Sequence, residues 1–369
     1  MHNTKKTLRA AMAITVCAAF AQSCAIRAKQ PLLDAREQLP KPVSVGVEST
    51  LVRTVEAKHT VSPKQKMRDL FRTLRHGSNE EQVSAMKELE KNANKSTIPL
   101  LLRELDDPDT SAHHVAIFLL GNLKAKSAVP ELLKLVDDPI LGHESIQALE
   151  KIGDKRAISA LSKRTKDQDP YVRAISIRAL GTLEAHESAP LILDALKSRD
   201  EPVLLSAIQA IGKLGDARAI SDLINALSHR KPSIASAAAD SLGAIGTPSL
   251  LPLIGTLQNA SIGNRVNLIE AIVAVGHVGI PILDQAMYSA SPTAAYGIVA
   301  ALGLIRHKSA LPILVQALEH PEANVRGTAA NSLRIIGDKT AIPVLEKVVA
   351  NDSSPFTVAA AQAAISSLQ

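Results

Sequence analysis

The sequence predicts an all-α fold, a solenoid of about ten helical hairpins of ~31 residues each. One phrase recurs along the chain, since "AVPELLKLV" at residues 128–136 returns as "AIPVLEKVV" at residues 341–349. The chain also has only four Phe, three Tyr and no Trp, although 46% of its residues are hydrophobic. A core of Ala, Leu, Ile and Val favours thin, closely packed helices over the ring-filled core of a globular enzyme.

The first 23 residues are predicted to be a signal peptide. A basic start precedes an apolar run over residues 10–21, which is too short to span a bilayer comfortably. The run ends in "AFAQSC", which resembles the lipobox of bacterial lipoproteins, where a cysteine becomes the acylated first residue. The resemblance implies lipid attachment at Cys24 and an exported cell-membrane lipoprotein. Ala21 and Ser23 also fit an ordinary cleavage site, so a periplasmic protein with a cleaved signal remains the alternative.

Residues 24–61 are predicted to be a flexible tether. They show no helical period and contain Pro31, Pro40 and Pro42 among scattered charges. The array itself is expected over residues 62–369.

Charge and cysteine content exclude several classes of partner. Residues 1–66 carry 11 basic and 4 acidic residues, so the remainder, with 31 basic and 32 acidic, is close to neutral. A neutral array without a basic stripe argues against nucleic-acid binding. Cys17 and Cys24 are the two cysteines of the chain, so the array holds neither a disulfide framework nor a Cys-type zinc site.

The repeat is marked by one position that usually holds proline. Going backwards in steps of 29 or 31 residues, it holds Pro343, Pro312, Pro281, Pro252, Ser221, Pro190, Ser159, Pro130 and Pro99, and one more step reaches Arg68. Each unit contains two segments of helical period, helix A and helix B. Leu311, Leu314 and Leu318 share one face of a helix A, and residues 172–183 form a helix B.

Proline and glycine columns set the expected helix ends. The proline is predicted to lie in the first turn of helix A, where a missing N–H has no intrahelical partner. The expected N-caps, three residues before the proline, are Ser96, Ser127, Ser249, Ser309 and Thr340. A glycine six residues before the marker position, as at Gly153 and Gly337, is predicted to end helix B in the left-handed region.

A second glycine column lies inside helix B. It comprises Gly121, Gly181, Gly212, Gly243 and Gly303, each 22 residues after a marker position. Because a glycine within a helix costs about 1 kcal/mol relative to Ala, the column predicts close approach of neighbouring helices.

These features resemble HEAT repeats, in particular the short variety named after phycobilisome lyases. The resemblance covers about 300 residues and includes "A-x-P-x-L" in helix A, "D-x-x-V-R" at Asp169–Arg173 and "A-L-G" at residues 179–181. It implies a superhelical scaffold whose helix B lines the concave side, and it leaves the function open.

Two His-Glu pairs are the strongest indication of an enzyme in the sequence. His143-Glu144 and His186-Glu187 resemble the iron-binding His-Glu pairs of deoxyhypusine hydroxylase. They lie 13 and 27 residues after their marker positions, so they are expected at different ends of helix B and do not converge. No nucleophile set or phosphate-binding loop is present in the sequence. The prediction is therefore no enzyme, no cofactor and no metal, with a phycobilin-lyase-like or metal-binding enzyme or ligand carrier as the alternative.

One row of polar residues is the candidate partner site. Its members, about 19 residues after successive marker positions, are Gln147, Arg178, Gln209, Asp240, Asn331 and Gln362. Adjacent helices pack ~8–10 Å apart, so the row is expected to run along the groove. The interpretation is a scaffold that holds an envelope protein or peptide in this groove, and the simpler alternative is solvation of an exposed helix face.

Overall fold

The structure, a computed structural model, describes residues 62–369, and this part of the chain is all helical. It contains twenty α-helices in ten consecutive pairs, and the described residues include no strand. The prediction of an all-α solenoid of about ten hairpins is therefore confirmed. The predicted signal peptide, the tether and Cys24 lie outside the described residues.

Each pair forms one unit, whose first member is helix A and whose second member is helix B. Units 1 to 5 are α1 Pro63–His76 with α2 Asn79–Asn92, α3 Ile98–Leu105 with α4 His113–Asn122, α5 Val129–Leu135 with α6 Gly142–Ile152, α7 Ile158–Arg164 with α8 Pro170–Thr182, and α9 Ala189–Ala195 with α10 Glu201–Leu214. Units 6 to 10 are α11 Ile220–Ala226 with α12 Pro232–Ile245, α13 Leu250–Leu257 with α14 Ile262–Val275, α15 Ile280–Met287 with α16 Pro292–Ile305, α17 Leu311–Ala317 with α18 Ala323–Ile336, and α19 Ile342–Asn351 with α20 Pro355–Leu368.

Helix A begins as predicted with the marker proline in its first turn, but the predicted capping is wrong, because none of the predicted Ser or Thr side chains caps the helix, not even Ser249, which holds the N-cap position of α13. In α3 and α19 the marker proline occupies the first turn. The Ser or Thr three residues earlier lies within a short 3-10 turn that precedes helix A, as Thr340 does in Lys339–Ala341. In the last unit the cap lies two residues further upstream, where Asp338 accepts a 3.0 Å hydrogen bond from the backbone N–H of Thr340. Because the 3-10 turn precedes helix A, the backbone N–H groups without a partner lie in this turn, and the capping residue lies before it.

The positive φ at the end of helix B is confirmed and is more general than the glycine column, although Gly246 has a ψ of −147° and so lies outside the predicted left-handed region. Gly153 and Gly337 have φ of 73° and 80°. Where a unit lacks the glycine, Lys124, Glu184 and Arg306 adopt φ of 50°, 52° and 54° at the same position. The repeat geometry therefore imposes this conformation even on residues with a side chain.

The glycines inside helix B mark close helix contacts, as predicted. A Cβ added at Gly181 would lie 2.6 Å from the Cα of Ala210, and one at Gly212 would lie 2.5 Å from the Oγ of Ser241. That Oγ donates a 2.9 Å hydrogen bond to the carbonyl of Ile208 on the preceding helix B. Consecutive B helices thus contact each other almost backbone to backbone along the array.

The core is one continuous layer of aliphatic side chains between the A and B helices, from Met67 to Leu368. Phe71, in unit 1, is completely buried. In the described residues, no single helix is long and apolar enough to cross a membrane. The helix pairs over residues 232–257 and 262–287 meet that test only in combination, and they bend by 117° and 94° between their halves.

Candidate functional site

The six residues predicted to form the polar row all lie on B helices, and all are exposed or partly exposed. From Gln147 to Asn331, each lies six residues before the positive-φ residue that ends its helix. Because the number of residues to the helix end is constant, these residues have the same angular position around their helices, and their side chains project from the same side of the B helices. We call this surface the B-helix face, defined by Gln147, Arg178, Gln209, Asp240, Asn331 and Gln362.

Sequence reasoning missed Glu270, which belongs to the same row. Glu270 is exposed on α14 and lies six residues before Gly276, whose φ is 78°. Unit 7 is offset relative to its proline, so counting forward from Pro252 reached the buried Ala271 instead. Counting back from the terminal glycine would have found it. In unit 8 the equivalent residue is Ala300, so the row is not polar throughout.

Arg178 belongs to the row but pairs within the array. Its Nε and Nη2 donate to both carboxylate oxygens of Glu150 on the preceding helix B, at 2.8–3.1 Å. This hydrogen bonding raises the pKa of Arg178. Thr182 donates to the same carboxylate, and Lys213 donates in turn to Thr182, each at 3.1 Å. These polar contacts therefore join helices α6, α8 and α10.

A second polar cluster lies near the beginnings of α4, α6 and α8. Gln147 donates a 3.0 Å hydrogen bond to the hydroxyl of Tyr171, whose ring meets His143 edge-on at 5.2 Å between centroids. Nearby, Nδ1 of His114 lies 3.2 Å from Oε1 of Glu144. Burial raises the pKa of the Glu144 carboxyl, but hydrogen bonds and nearby charges, chiefly from His114, hold it below its usual range.

The two His-Glu pairs do not come together. His143 and Glu144 lie in the first turn of α6, whereas His186 and Glu187 lie in the 3-10 turn that follows α8. This is the separation that their spacing predicts. His113 is buried, with Nε2 3.0 Å from the carbonyl oxygen of Asp107. Within residues 62–369, no group of three or more His, Cys, Asp or Glu side chains is placed to hold a metal ion.

The Asp–Arg motif forms bridges in some units and not in others. Arg173 pairs with Asp200 at 2.5 Å, and Arg326 pairs bidentately with Asp352 at 2.7 and 2.9 Å. Both arginines also donate to carbonyl oxygens of the loop before their own helix. Arg265, at the corresponding place in unit 7, reaches only the carbonyl of Ala260, at 3.2 Å.

Comparison with known families identifies the repeat. A family model described as HEAT repeats matches residues 98–181, 158–226, 189–272 and 280–366. The chain belongs to the HEAT-repeat family. The resemblance inferred from its sequence motifs is thereby confirmed. No curated protein matches the chain significantly.

Three solved structures resemble this HEAT-repeat chain at low identity and low TM-score. An engineered protein is 18% identical, covering 82% of this chain and 95% of its own, with a TM-score of 0.41. Human deoxyhypusine hydroxylase in complex with glycerol is 18% identical, covering 68% and 98%, with a TM-score of 0.28. The CpcE and CpcF complex of phycocyanin lyase from Nostoc sp. PCC7120 is 19% identical, covering 57% and 94%, with a TM-score of 0.30. At these identities the likeness is one of fold alone.

Proposed function

We propose that this HEAT-repeat protein is a non-catalytic scaffold of the bacterial cell envelope that holds a protein or peptide partner along the B-helix face. The observation that carries the proposal is the row itself. Seven exposed or half-exposed polar side chains, including Glu270, recur at one position of the B helices. Stacked repeats that present one row of side chains over several units form the extended surfaces with which solenoids bind other chains.

Anchoring is the second part of the proposal, and it rests on the lipobox-like "AFAQSC". Acylation of Cys24 would hold the scaffold at the membrane, with residues 25–61 as the tether. Replacing Cys24 with Ser is expected to release the protein from the membrane fraction without changing its helical content. Unchanged membrane association of C24S would refute the lipid anchor and leave the scaffold proposal standing.

The scaffold is tested by comparing two surfaces of the same array. In the first variant Arg178, Gln209, Asp240 and Asn331 are all replaced by Ala. In the control variant three A-helix residues are replaced by Ala, the exposed Lys163 and Asp194 and the partly exposed Glu131. Glu346 is unsuitable for the control set, because it lines the same depression as Gln362 at the end of the array.

Partners are trapped by cross-linking in intact cells and quantified by mass spectrometry. The B-helix variant is expected to lose at least one cross-linked envelope protein that wild type and the A-helix variant retain, since each lost contact is worth ~1 kcal/mol. Helical content should be equal in all three proteins, because surface substitutions have small effects on stability, although loss of the Arg178–Glu150 pair is expected to lower the melting temperature of the B-helix variant. Loss of the partner from the A-helix variant alone would place binding on the other side of the array.

The alternative function is a ligand carrier or metal-dependent enzyme whose polar groups would include His114 and Glu144, although these two are not part of a group of three possible metal ligands within residues 62–369. The observation in its favour is the 3.2 Å contact of His114 with Glu144 across two units. Titration with Fe²⁺ and Zn²⁺ distinguishes this function from the scaffold. A stoichiometric rise in melting temperature that is abolished by His114→Ala with Glu144→Gln would support it, and an unchanged melting temperature would reject it.

A further inference from the structure

The B-helix face changes character in units 6 to 8 of the array. Residues 232–305 contain four charged residues in total, Asp240, Arg265, Glu270 and Asp284. Seven exposed large apolar side chains nevertheless lie in this stretch: Leu251, Ile262, Val266, Val278, Tyr288, Tyr296 and Leu304. Isolated exposed apolar residues are ordinary, but a contiguous uncharged surface that exposes several of them marks a binding site.

Three of these side chains lie on the B-helix face itself. On α14, Val266 is 58% exposed, and on the neighbouring α16, Tyr296 and Leu304 are 37% and 48% exposed. Val266 and Tyr296 are equivalent residues, since each lies ten before the positive-φ residue that ends its helix. Spacings of four residues place the exposed positions of each helix on one side.

With α12 included, exposed or partly exposed positions form a grid of three per helix on three successive helices, each of which contacts the next. We call this the units 6–8 patch, defined by Ser236, Asp240 and Ala244 on α12, Val266, Glu270 and Ala274 on α14, and Tyr296, Ala300 and Leu304 on α16. The patch is small or apolar at most positions and carries two carboxylates.

The charges of the patch are unpaired, in contrast to those of units 3 to 5. On that earlier part of the face, Arg178 pairs with Glu150 and Lys213 donates to Thr182. Asp240 and Glu270 make no ion pair or side-chain hydrogen bond within residues 62–369. The one Lys or Arg of residues 232–305, Arg265, donates through Nε to the carbonyl of Ala260 at the beginning of α14. The patch therefore offers apolar contact together with uncompensated negative charge.

We propose that the units 6–8 patch binds a basic amphipathic helix of a partner protein, whose apolar face covers Val266, Tyr296 and Leu304 and whose Lys or Arg side chains reach Asp240 and Glu270. This proposal rests on the proposed scaffold function and names the chemistry of its partner. Amphipathic helices bind apolar surfaces through residues spaced three, four or seven apart. Charged groups at the edge of such a contact select the partner and its orientation.

The geometry suits a helix that lies across the repeats. Neighbouring packed helices are ~8–10 Å apart, and seven residues of a helix rise about 10 Å. Two basic residues seven apart in the partner can therefore reach Asp240 on α12 and Glu270 on α14 together. The leucine face of the same partner helix would then cover α14 and α16.

The test uses the full chain and three fluorescent 18-residue helical peptides. The first peptide has a leucine face flanked by two Lys residues seven apart, the second replaces both Lys with Glu, and the third replaces the leucines with Ala. Fluorescence anisotropy is expected to show binding of the Lys peptide at least about tenfold tighter than binding of either other peptide. Equal affinity for the Lys and Glu peptides would overturn the proposal.

Two variants of the protein locate the binding. Tyr296→Ser with Leu304→Ser is expected to weaken the Lys peptide about tenfold or more, while the matched control Leu251→Ser with Val278→Ser, at exposed apolar residues outside the patch, leaves it unchanged. Asp240→Lys with Glu270→Lys should reverse the preference so that the Glu peptide binds better. No reversal would overturn the proposal, and so would a wild-type dimer in sedimentation that Tyr296→Ser with Leu304→Ser converts to monomer.

Failure of this proposal can be told apart from failure of the scaffold function. If the patch proposal alone is wrong, cross-linking still loses its envelope protein when Arg178, Gln209 and Asn331 are replaced, and the peptides bind without charge preference. If the scaffold function is wrong, none of these substitutions changes what is cross-linked in cells.

Discussion

A methyl group added at Gly212 tests whether close helix contact holds the array together. Gly212 lies inside α10, where alanine ordinarily stabilises a helix by about 1 kcal/mol. Here the new Cβ would lie 2.5 Å from Oγ, 2.6 Å from Cβ and 2.9 Å from Cα of Ser241 on α12. Carbon atoms in contact are ordinarily ~3.5–4 Å apart, so α10 and α12 would have to separate by about 1 Å.

The expected net effect of Gly212→Ala is a loss of about 1–3 kcal/mol in the free energy of unfolding. Overpacking of a close contact costs roughly 1–3 kcal/mol. Separation of the helices also stretches the 2.9 Å hydrogen bond from Ser241 to the carbonyl of Ile208, worth about 1 kcal/mol. The helix propensity of alanine offsets about 1 kcal/mol of this sum.

Gly255→Ala is the matched control, since Gly255 lies in α13 and an added Cβ would meet no atom within 4 Å. This change should stabilise the protein by about 0.5–1 kcal/mol. Urea unfolding followed by circular dichroism gives the sign, and amide exchange in α10 and α12 shows whether the loss is local, because a repeat array need not unfold in one step. Equal stabilisation by both substitutions would refute the close-contact argument. Gly212→Ala combined with Ser241→Gly should recover only part of the loss, because the 2.9 Å approach to Cα of residue 241 remains and the hydrogen bond to Ile208 is removed.

Three further predictions concern helix ends, acid stability and the first unit. Arg306→Gly should raise the free energy of unfolding by about 1 kcal/mol and Gly337→Ala should lower it by a similar amount, measured by urea titration, because both residues have positive φ. Hydrogen bonds hold the pKa values of Asp154, Asp216 and Asp338 below their usual range, that of Asp154 at about 2. Since these folded-state values are depressed, the stabilisation is complete above about pH 4 and is lost towards pH 2, so replacing all three with Asn should flatten the fall in melting temperature over that interval. Deleting residues 62–95 removes the buried Phe71 and the ion pair of Arg75 with Glu104, and light scattering should detect aggregation; a soluble monomer with unchanged melting would contradict the capping role of unit 1.

The number of helices and the position of each within the repeat were predictable, because ten similar units give the same pattern even where one unit alone is ambiguous. A single proline or glycine is weak evidence, but ten units with one phase determine each other's boundaries. The N-cap prediction failed for a local reason. Ser96 and Thr340 are good caps by residue type, yet the 3-10 turn before helix A gives that role to Asn94 and Asp338. Sequence spacing alone does not distinguish a helix that begins directly from one preceded by a 3-10 turn.

The row was predictable in position but not in its pairings. Periodicity places Arg178 and Asp240 on the same side of the B helices, and the structure agrees. The pairing of Arg178 with Glu150 depends on how far successive B helices are shifted along their axes, and the close contacts at the glycines inside helix B set this shift. In the 29-residue unit 7 the number of residues between the marker proline and the end of helix B also changes, so counting from the proline missed Glu270.

The apolar side chains of the units 6–8 patch are not explained by folding. The array buries a continuous core without them, and the residues equivalent to Leu304 in units 3 to 5 are the exposed polar residues Lys151, Thr182 and Lys213. Exposed surface residues contribute little to stability, so a polar side chain at Val266, Tyr296 or Leu304 would serve the fold equally well. Exposed apolar groups beside unpaired carboxylates instead favour association with another molecule. Contact with a basic, apolar partner accounts for both features together, whereas solvation of a helix face accounts only for the carboxylates.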